Sequence, residues 1–341
     1  AGTSVVNMMG GTVTAGNTAT TQAMFDNLTT TTGSTTVLSS NSFVSFNGNL
    51  TNNGSITPNN ALLRMNGGGA QSITGTSLTL NALEANNVGT KTIGTAIDIT
   101  DSLKISAAAT IASGGNLTLK STSALKGRIA QVAAGGSITG NVTVENFILG
   151  GNTGWALLGS AGVSGMTMND WYDDFPMAIE GSATDVTSAG GYFESVQGWN
   201  EGDTYGYDTT ITIGTALTPG QGFWTYLGTG PTTTSDILID LVGNPVTGSL
   251  PINLTNSAQS GTCLIANPYA SPIRWTLLRN GNLQVTNAIY IYNADGPYAS
   301  FVSGVGTNGG SDFIPAGQGF YVESLSNTSL NAQESNKVSS S

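Results

Sequence analysis

Residues 115–148 read GNLTLKSTSALKGRIAQVAAGGSITGNVTVENFI. Apolar and polar residues alternate at Leu117-x-Leu119 and at Val142-x-Val144, and Gly, Asn and Ser separate these short runs. Alternation places the apolar side chains on one face of a strand, and Gly and Asn suit tight corners. We therefore predict that the stretch forms the last coils of a β-solenoid, points these four side chains inward, and leads into a second β region.

The same pattern recurs upstream at a spacing of roughly 19 to 25 residues. The alternating pairs are Leu78-x-Leu80, Ile97-x-Ile99, Leu117-x-Leu119 and Val142-x-Val144. Coils of this length stack on their neighbours and bury a continuous apolar column. This predicts a β-solenoid over residues 41–150, and a large sandwich of evenly spaced strands is the alternative. Residues 1–40 are rich in Thr and Gly and are expected to form either an exchanged strand or the first coil.

The composition indicates an all-β protein and excludes several functions. The chain has 341 residues, of which 9% are charged and 47 are Gly, and its formal net charge is −11. Such acidity repels a phosphate backbone, so nucleic acid is not an expected partner. The chain has no histidine, which excludes Ser-His and Cys-His catalytic pairs. The single cysteine, Cys263, excludes an intramolecular disulfide and is expected to be a small buried apolar residue.

Residues 151–330 contain an internal duplication. The phrase Gly-Gln-Gly-Phe occurs at residues 220–223 and 317–320, each time shortly after a proline, and Trp171 and Trp275 precede the two phrases at similar distances. The repeated order of apolar strand, tryptophan loop, aromatic strand and closing strand predicts two β-sandwich modules. We call residues 151–245 copy 1 and residues 246–330 copy 2. Residues 331–341 form a polar C-terminal tail.

Two groups of residues in the duplicated region are candidates for ligand binding. Closely spaced carboxylates could bind calcium, which prefers six to eight oxygen ligands. These are Asp170, Asp173, Asp174, Glu201 and Asp203. Aromatic residues in polar surroundings could stack on sugars. These are Trp199, Tyr205, Tyr207 and Tyr298. No other cofactor is expected, and ordinary solvated loops and a sandwich core are the alternative interpretations.

The chain resembles a known group of exported proteins. The phrases GWALLGSAGVSGMTMNDW, LTPGQGFWTYL, CLIANPYASPIRW and IPAGQGFYVE, which follow the 115–148 stretch, are similar to those of Bacteroidota proteins secreted by the type IX system. The resemblance covers roughly residues 110–325. It implies a location outside the cell or on the outer cell surface. The chain also lacks an apolar run long enough for a transmembrane helix.

Three functions follow as hypotheses. The first is a non-enzymatic structural protein that assembles with itself into a surface filament or layer, with head-to-tail strand exchange through residues 1–15 or 325–341. The alternative is a surface adhesin or carbohydrate-binding protein. The third is a polysaccharide-degrading enzyme on a β-helix. Basic residues such as Arg64, Lys91 and Lys120 are scattered singly, so we predict no catalytic residues.

Overall fold

A computed structural model of the chain is almost entirely β-structure, with 50% of residues in strands and 4% in helices. It describes residues 5–8, 11–15, 22–182, 194–228, 233–292 and 297–339. The chain divides into two compact units, Ala1–Glu145 and Asn146–Ser341. The predicted all-β class is confirmed, with a β-solenoid of about 5 turns followed by further β-sheets.

The solenoid is built from short parallel strands. In chain order they are β1 (Val5–Met8), β2 (Gly11–Ala15), β3 (Gln22–Phe25), β4 (Asn27–Thr30), β5 (Ser34–Leu38), β6 (Phe43–Phe46), β7 (Leu50–Asn52), β8 (Ser55–Thr57), β9 (Leu62–Met65), β10 (Gln71–Gly75), β11 (Leu78–Ala85), β12 (Gly89–Ile93), β13 (Ile97–Ile105), β14 (Ala109–Ala112), β15 (Leu117–Leu119), β16 (Arg128–Val132), β17 (Ser137–Thr139) and β18 (Val142–Ile148).

These strands form three parallel sheets along the solenoid. The first has the order β1-β4-β7-β10-β12-β14-β17, the second runs from β3 through β6, β9, β11, β13 and β15 to β18, and the third is β2-β5-β8. Strand β1 pairs with β4, and β2 pairs with β5. The solenoid therefore begins well before residue 41.

One apolar column shows why this sequence coils. Leu80, Ile99, Leu119 and Val144 are neighbours in successive parallel pairings, and all four are buried. Burying each such side chain contributes about 1.5–3 kcal/mol relative to leaving it exposed. The predicted inward direction of Leu117, Leu119, Val142 and Val144 is confirmed by their burial.

The scattered basic residues of the solenoid have structural partners. The fully buried Lys91 ammonium donates to the carbonyl oxygens of Gly67, Gly69 and Val88 at 2.6, 2.9 and 3.0 Å. Arg64 pairs with the buried Glu84 at 2.7 Å. These contacts satisfy polar groups that would otherwise be costly to bury. The basic side chains therefore support the coils.

The C-terminal unit contains shorter and mostly antiparallel strands. In chain order its elements are β19 (Gly151–Asn152), β20 (Gly154–Leu158), β21 (Val163–Ser164), α1 (Asn169–Tyr172), β22 (Val196–Trp199), β23 (Tyr207–Asp208), β24 (Phe223–Leu227), β25 (Thr233–Thr234), β26 (Ile237–Pro245), β27 (Leu250–Leu254), β28 (Thr262–Ala266), β29 (Ile273–Arg274), α2 (Trp275–Arg279), β30 (Ala288–Ile291), β31 (Ala299–Val302), β32 (Val305–Thr307), β33 (Phe313–Ile314), β34 (Gly319–Glu323), β35 (Thr328–Ala332) and a 3₁₀ helix (Glu334–Asn336).

The two copies have the same strand order. Copy 1 forms the sheet β20-β24-β22-β23, and copy 2 forms β28-β34-β30-β31-β32. In each copy a buried tryptophan on a short helix packs edge-to-face on the phenylalanine of the Gly-Gln-Gly-Phe phrase, Trp171 on Phe223 and Trp275 on Phe320. The duplicated phrases therefore form equivalent structure. In the described ranges, neither helix has the length and apolar character needed to span a bilayer.

Candidate functional site

The two copies contact each other reciprocally through their Gly-Gln-Gly turns. The amide of Gly159 in copy 1 donates to the carbonyl of Gly317 in copy 2 at 3.0 Å. The equivalent amide of Ala266 in copy 2 donates to the carbonyl of Gly220 in copy 1 at 2.9 Å. Each turn thus pairs with the first strand of the other copy. Such exchanged contacts are the signature of a local two-fold relation.

The two glycines of each turn have different roles. Gly220 and Gly317 have φ angles of 89° and 75°, in the left-handed region that favours glycine. Gly222 instead lies so close to copy 2 that a Cβ atom would sit 2.7 Å from the carbonyl oxygen of Ile265. The phrase serves a turn followed by a strand, as expected, and the second glycine also permits the close approach of the two copies.

A small apolar cluster lies where the copies meet. It consists of the buried Leu157 and Trp224 from copy 1 and Leu264 and Tyr321 from copy 2. Trp224 and Tyr321 occupy the same position of the repeat, and the Trp224 indole N–H donates to the Tyr321 hydroxyl at 2.5 Å. Leu157 pairs with Trp224 in one sheet, and Leu264 pairs with Tyr321 in the other. The partly buried rings of Trp155, Trp199 and Tyr292 pack against this cluster.

An open aromatic cleft lies beside this cluster. It has a volume of about 480 Å³ and is lined by Trp199, Tyr207, Thr262, Tyr290, Tyr298 and Tyr321. These described lining residues include no Asp, Glu, Lys or Arg. Both copies contribute to the lining, so the cleft exists only when the two are joined.

Trp199 is the central ring of the cleft. It packs edge-to-face on Tyr321, with ring centres 5.0 Å apart, and on Tyr207, with ring centres 5.3 Å apart. Its indole N–H donates to the carbonyl of Thr262 at 2.6 Å. Perpendicular rings of this kind favour one another, so these contacts hold Trp199 in place.

The pKa values of two cleft tyrosines, Tyr298 and Tyr321, are raised above the usual value for a phenol, so these two hydroxyls stay protonated at physiological pH. Burial raises the pKa of Tyr298, and repulsion from nearby Tyr207 and Tyr292 would raise that pKa further. Burial also raises the pKa of Tyr321, more than its hydrogen bond from Trp224 lowers that pKa. A protonated phenol can both donate and accept a hydrogen bond. The cleft therefore combines ring faces with neutral hydroxyls.

The structure brings together three of the four residues predicted to stack on sugars. Trp199, Tyr207 and Tyr298 line the cleft, and 46% of Tyr207 and 41% of Tyr298 remain exposed. Tyr205 is 81% exposed and does not line the cleft. The sequence analysis did not predict Tyr290, which is exposed in the otherwise apolar strand β30. The alternation of Ile and Tyr in AIYIY, residues 288–292, could have indicated that this tyrosine points away from the buried face.

Another cavity, of about 300 Å³, shares Trp199 in its wall and includes Glu201. The buried carboxylate of Glu201 accepts the backbone N–H groups of Ser257, Gly261 and Gln259 at 2.6, 2.9 and 3.1 Å, and the Ser257 hydroxyl at 2.7 Å. Burial alone would raise the pKa of Glu201, but these hydrogen bonds together outweigh it and lower the pKa to about 2. Glu201 therefore joins copy 1 to copy 2.

Three of the other four predicted calcium ligands accept hydrogen bonds from the protein backbone. Asp170 accepts the backbone N–H of Thr167 at 2.8 Å, and Asp203 accepts that of Tyr205 at 2.9 Å. Asp174 accepts the N–H of Asp240 at 2.9 Å, and Asp173 lines the same shallow cavity as Asp174. Within the described parts of the chain, no group of three or more acidic or sulfur ligands is placed to hold a metal ion. The geometry thus gives the calcium prediction no support.

Burial raises the pKa of two side chains, the carboxyl of Asp174 and the thiol of Cys263. Burial raises the pKa of Asp174 to about 6, and the nearby Asp240 and Asp173 carboxylates act in the same direction. Cys263 is a free, buried cysteine, as expected, and its thiol donates to the carbonyl of Thr255 at 3.4 Å. Burial raises the pKa of this thiol, which therefore is not an activated nucleophile.

Comparisons of the chain with protein-family models, with curated proteins and with solved structures find no match. The resemblance to type IX-secreted proteins accordingly stays a prediction.

Proposed function

We propose that the protein is a non-enzymatic binding protein that holds neutral carbohydrate in the aromatic cleft. The observation that carries the proposal is the lining itself, with one tryptophan, four tyrosines and one threonine around about 480 Å³. Ligand sites of this size are concave, largely apolar and furnished with a few polar groups that orient the ligand.

The lining matches the chemistry of a sugar. A pyranose presents C–H groups on its faces, which pack on aromatic rings, and hydroxyls around its rim, which need both donors and acceptors. Trp199, Tyr207 and Tyr298 offer ring surface, and the phenols offer hydroxyls of both kinds. The uncharged lining and the net charge of −11 favour a neutral sugar over an acidic one.

A proline-rich peptide is the other ligand class that aromatic grooves bind. Its backbone carbonyls need hydrogen-bond donors from the groove. Here the indole N–H groups of Trp199 and Trp224 are already used by Thr262 and Tyr321. Hydroxyls that both donate and accept suit a sugar better than a row of carbonyl acceptors.

The self-assembly hypothesis receives less support from the geometry. Strands β1 and β2, in one predicted donor segment, pair with β4 and β5 of the same chain. Strand β35, in the other, pairs with β27. Strand exchange through these segments therefore stays a prediction. A location outside the cell or on its surface, which the sequence resemblance predicts, is part of the present proposal.

A glycan array followed by titration calorimetry tests the proposal. Tyr207→Ala and Tyr298→Ala are expected to weaken binding of the best neutral glycan about tenfold, roughly 1.4 kcal/mol each. Tyr205→Ala is the matched control, because this tyrosine is highly exposed and lies outside the lining. Equal loss in all three variants, or an array without neutral-glycan signals, would overturn the proposal.

A further inference from the structure

The duplication gives every residue that lines the cleft an equivalent residue in the other copy. We call the set of these equivalent residues the counterpart of the cleft. In copy 1, Gln197 pairs with Trp224 across antiparallel strands, and in copy 2, Tyr290 pairs with Tyr321 in the same way. These registers fix which residues are equivalent. The equivalent pairs, copy 1 first, are Trp155 and Thr262, Gln197 and Tyr290, Trp199 and Tyr292, Tyr207 and Tyr298, and Trp224 and Tyr321.

The ring contacts of the cleft occur a second time with the roles of the two copies interchanged. Trp199 of copy 1 packs on Tyr321 of copy 2, and Tyr292 of copy 2 packs on Trp224 of copy 1, with ring centres 5.0 and 4.7 Å apart. Tyr292 also packs on Tyr298 at 5.5 Å, as Trp199 packs on Tyr207 at 5.3 Å. The aromatic arrangement of the cleft therefore occurs twice.

Two residues connect the two arrangements. Tyr298 lines the cleft beside Trp199 and also packs on Tyr292. Tyr207 packs on Trp199 and, at 6.2 Å, on Trp224. Both are among the more exposed rings, and both contact rings of the cleft and of its counterpart. A continuous aromatic surface results, with these two tyrosines at its middle.

The counterpart differs from the cleft at one position in particular. The cleft has the small Thr262 where the counterpart has Trp155, a partly exposed ring. Trp155 packs edge-to-face on Trp224 at 5.9 Å and on Tyr226 at 5.5 Å. It thus adds a large ring to the counterpart that the cleft lacks.

We propose that the counterpart is a second sugar subsite, built on Trp155 and Tyr292, and that the full site binds a linear oligosaccharide across both subsites. This inference rests on the proposed carbohydrate function and specifies its ligand as a chain of several units. Tyr207 and Tyr298 contact the middle of that chain. Occupying linked subsites with one ligand raises affinity with chain length, because the second contact is intramolecular.

The test is calorimetric titration with neutral β-1,4-linked oligosaccharides of glucose, N-acetylglucosamine and mannose, two to six units long. The wild-type protein is expected to bind six units of at least one sugar at least about tenfold more tightly than two units, a gain of roughly 1.4 kcal/mol. Trp155→Ala is expected to reduce the ratio of the six-unit affinity to the two-unit affinity to less than about threefold. Gln197→Ala, a smaller change in the counterpart, is expected to reduce it in the same direction and guards against misfolding of the first variant.

The possible failures are distinguishable. The second subsite would be overturned if the protein bound the oligosaccharides tightly but with an affinity that did not depend on chain length. It would also be overturned if wild type, Trp155→Ala and Gln197→Ala had equal ratios of six-unit to two-unit affinity. Either result would leave the proposal for the cleft itself intact. No binding of any of these oligosaccharides, together with an array lacking neutral-glycan signals, would overturn both proposals. A cooperative thermal melt of each variant, followed by far-ultraviolet circular dichroism, checks that the variant is folded.

Discussion

Replacing Glu201 with glutamine tests how the two copies are joined. The amide keeps the shape of the side chain, its carbonyl oxygen can still accept the three backbone N–H groups, and the Ser257 hydroxyl can rotate to accept from the new NH₂ group. Glu201→Gln therefore removes the charge and little else. A pKa difference of one corresponds to about 1.4 kcal/mol, so the fall from 4.5 to about 2 predicts a loss of about 3 kcal/mol at pH 7.

The same carboxylate predicts how the loss depends on pH. The folded pKa of Glu201 lies below its ordinary value, so its stabilisation is complete above about pH 5 and is lost as the pH falls toward 2. The difference in unfolding free energy between wild type and Glu201→Gln is therefore expected to shrink over this range. Near pH 2 the two proteins should be almost equally stable.

Urea unfolding followed by tryptophan fluorescence measures this difference. All five tryptophans lie after residue 150, so the signal reports the C-terminal unit. Asp203→Asn is the control, since this exposed carboxylate accepts the backbone N–H of Tyr205. A loss below about 1 kcal/mol at pH 7, or the same pH dependence in wild type and Glu201→Gln, would show that the buried carboxylate does not join the copies as described.

Three further substitutions give separate tests. Asp174→Asn should raise the unfolding free energy at pH 7.5 by about 1 kcal/mol, after allowance for solvent screening. The reason is that the pKa of Asp174 is raised to about 6, so ionisation of this carboxyl lowers the stability of wild type as the pH rises from about 4 to 6. Thermal melts of both proteins at pH 4.5 and 7.5 measure the difference. Leu119→Asp buries an unpaired charge in the solenoid and should lower the free energy of unfolding by more than about 3 kcal/mol. Thr92→Asp, at an exposed position of strand β12, should change it little. Unfolding followed by far-ultraviolet circular dichroism distinguishes the two variants. Gly222→Ala should cost about 1–3 kcal/mol through its clash with a carbonyl of copy 2, and Gly151→Ala, which meets open space, should not; fluorescence-monitored melts compare the two.

The solenoid could be predicted because its pattern is local and repeated. Four successive coils bring Leu80, Ile99, Leu119 and Val144 to equivalent places, so in this part the period indicates which side chains are buried. The start of the solenoid was harder to locate. Strands β4 and β5 lie in a Thr-rich stretch whose polar composition conceals their pairing with later coils.

The cleft could be predicted only in part. Trp199 and Tyr298 stand in polar surroundings, which suggested exposed rings. Tyr321 lies in the apolar strand GFYVE, and its place beside Trp199 depends on pairing between copies far apart in sequence. A local pattern does not contain that information. The calcium site stays a prediction. Asp170 and Asp203 each accept a backbone N–H group within their own loop, which the spacing of carboxylates in the sequence does not reveal.

The exchanged hydrogen bonds of Gly159 and Ala266 make the joining surface self-complementary. Two identical single modules could bury the same surface as a symmetric dimer, in an association that depends on concentration. Placing both modules in one chain makes that association intramolecular and independent of dilution. It also frees the two halves to diverge, and they differ at Trp155 in copy 1 and its equivalent, Thr262, in copy 2.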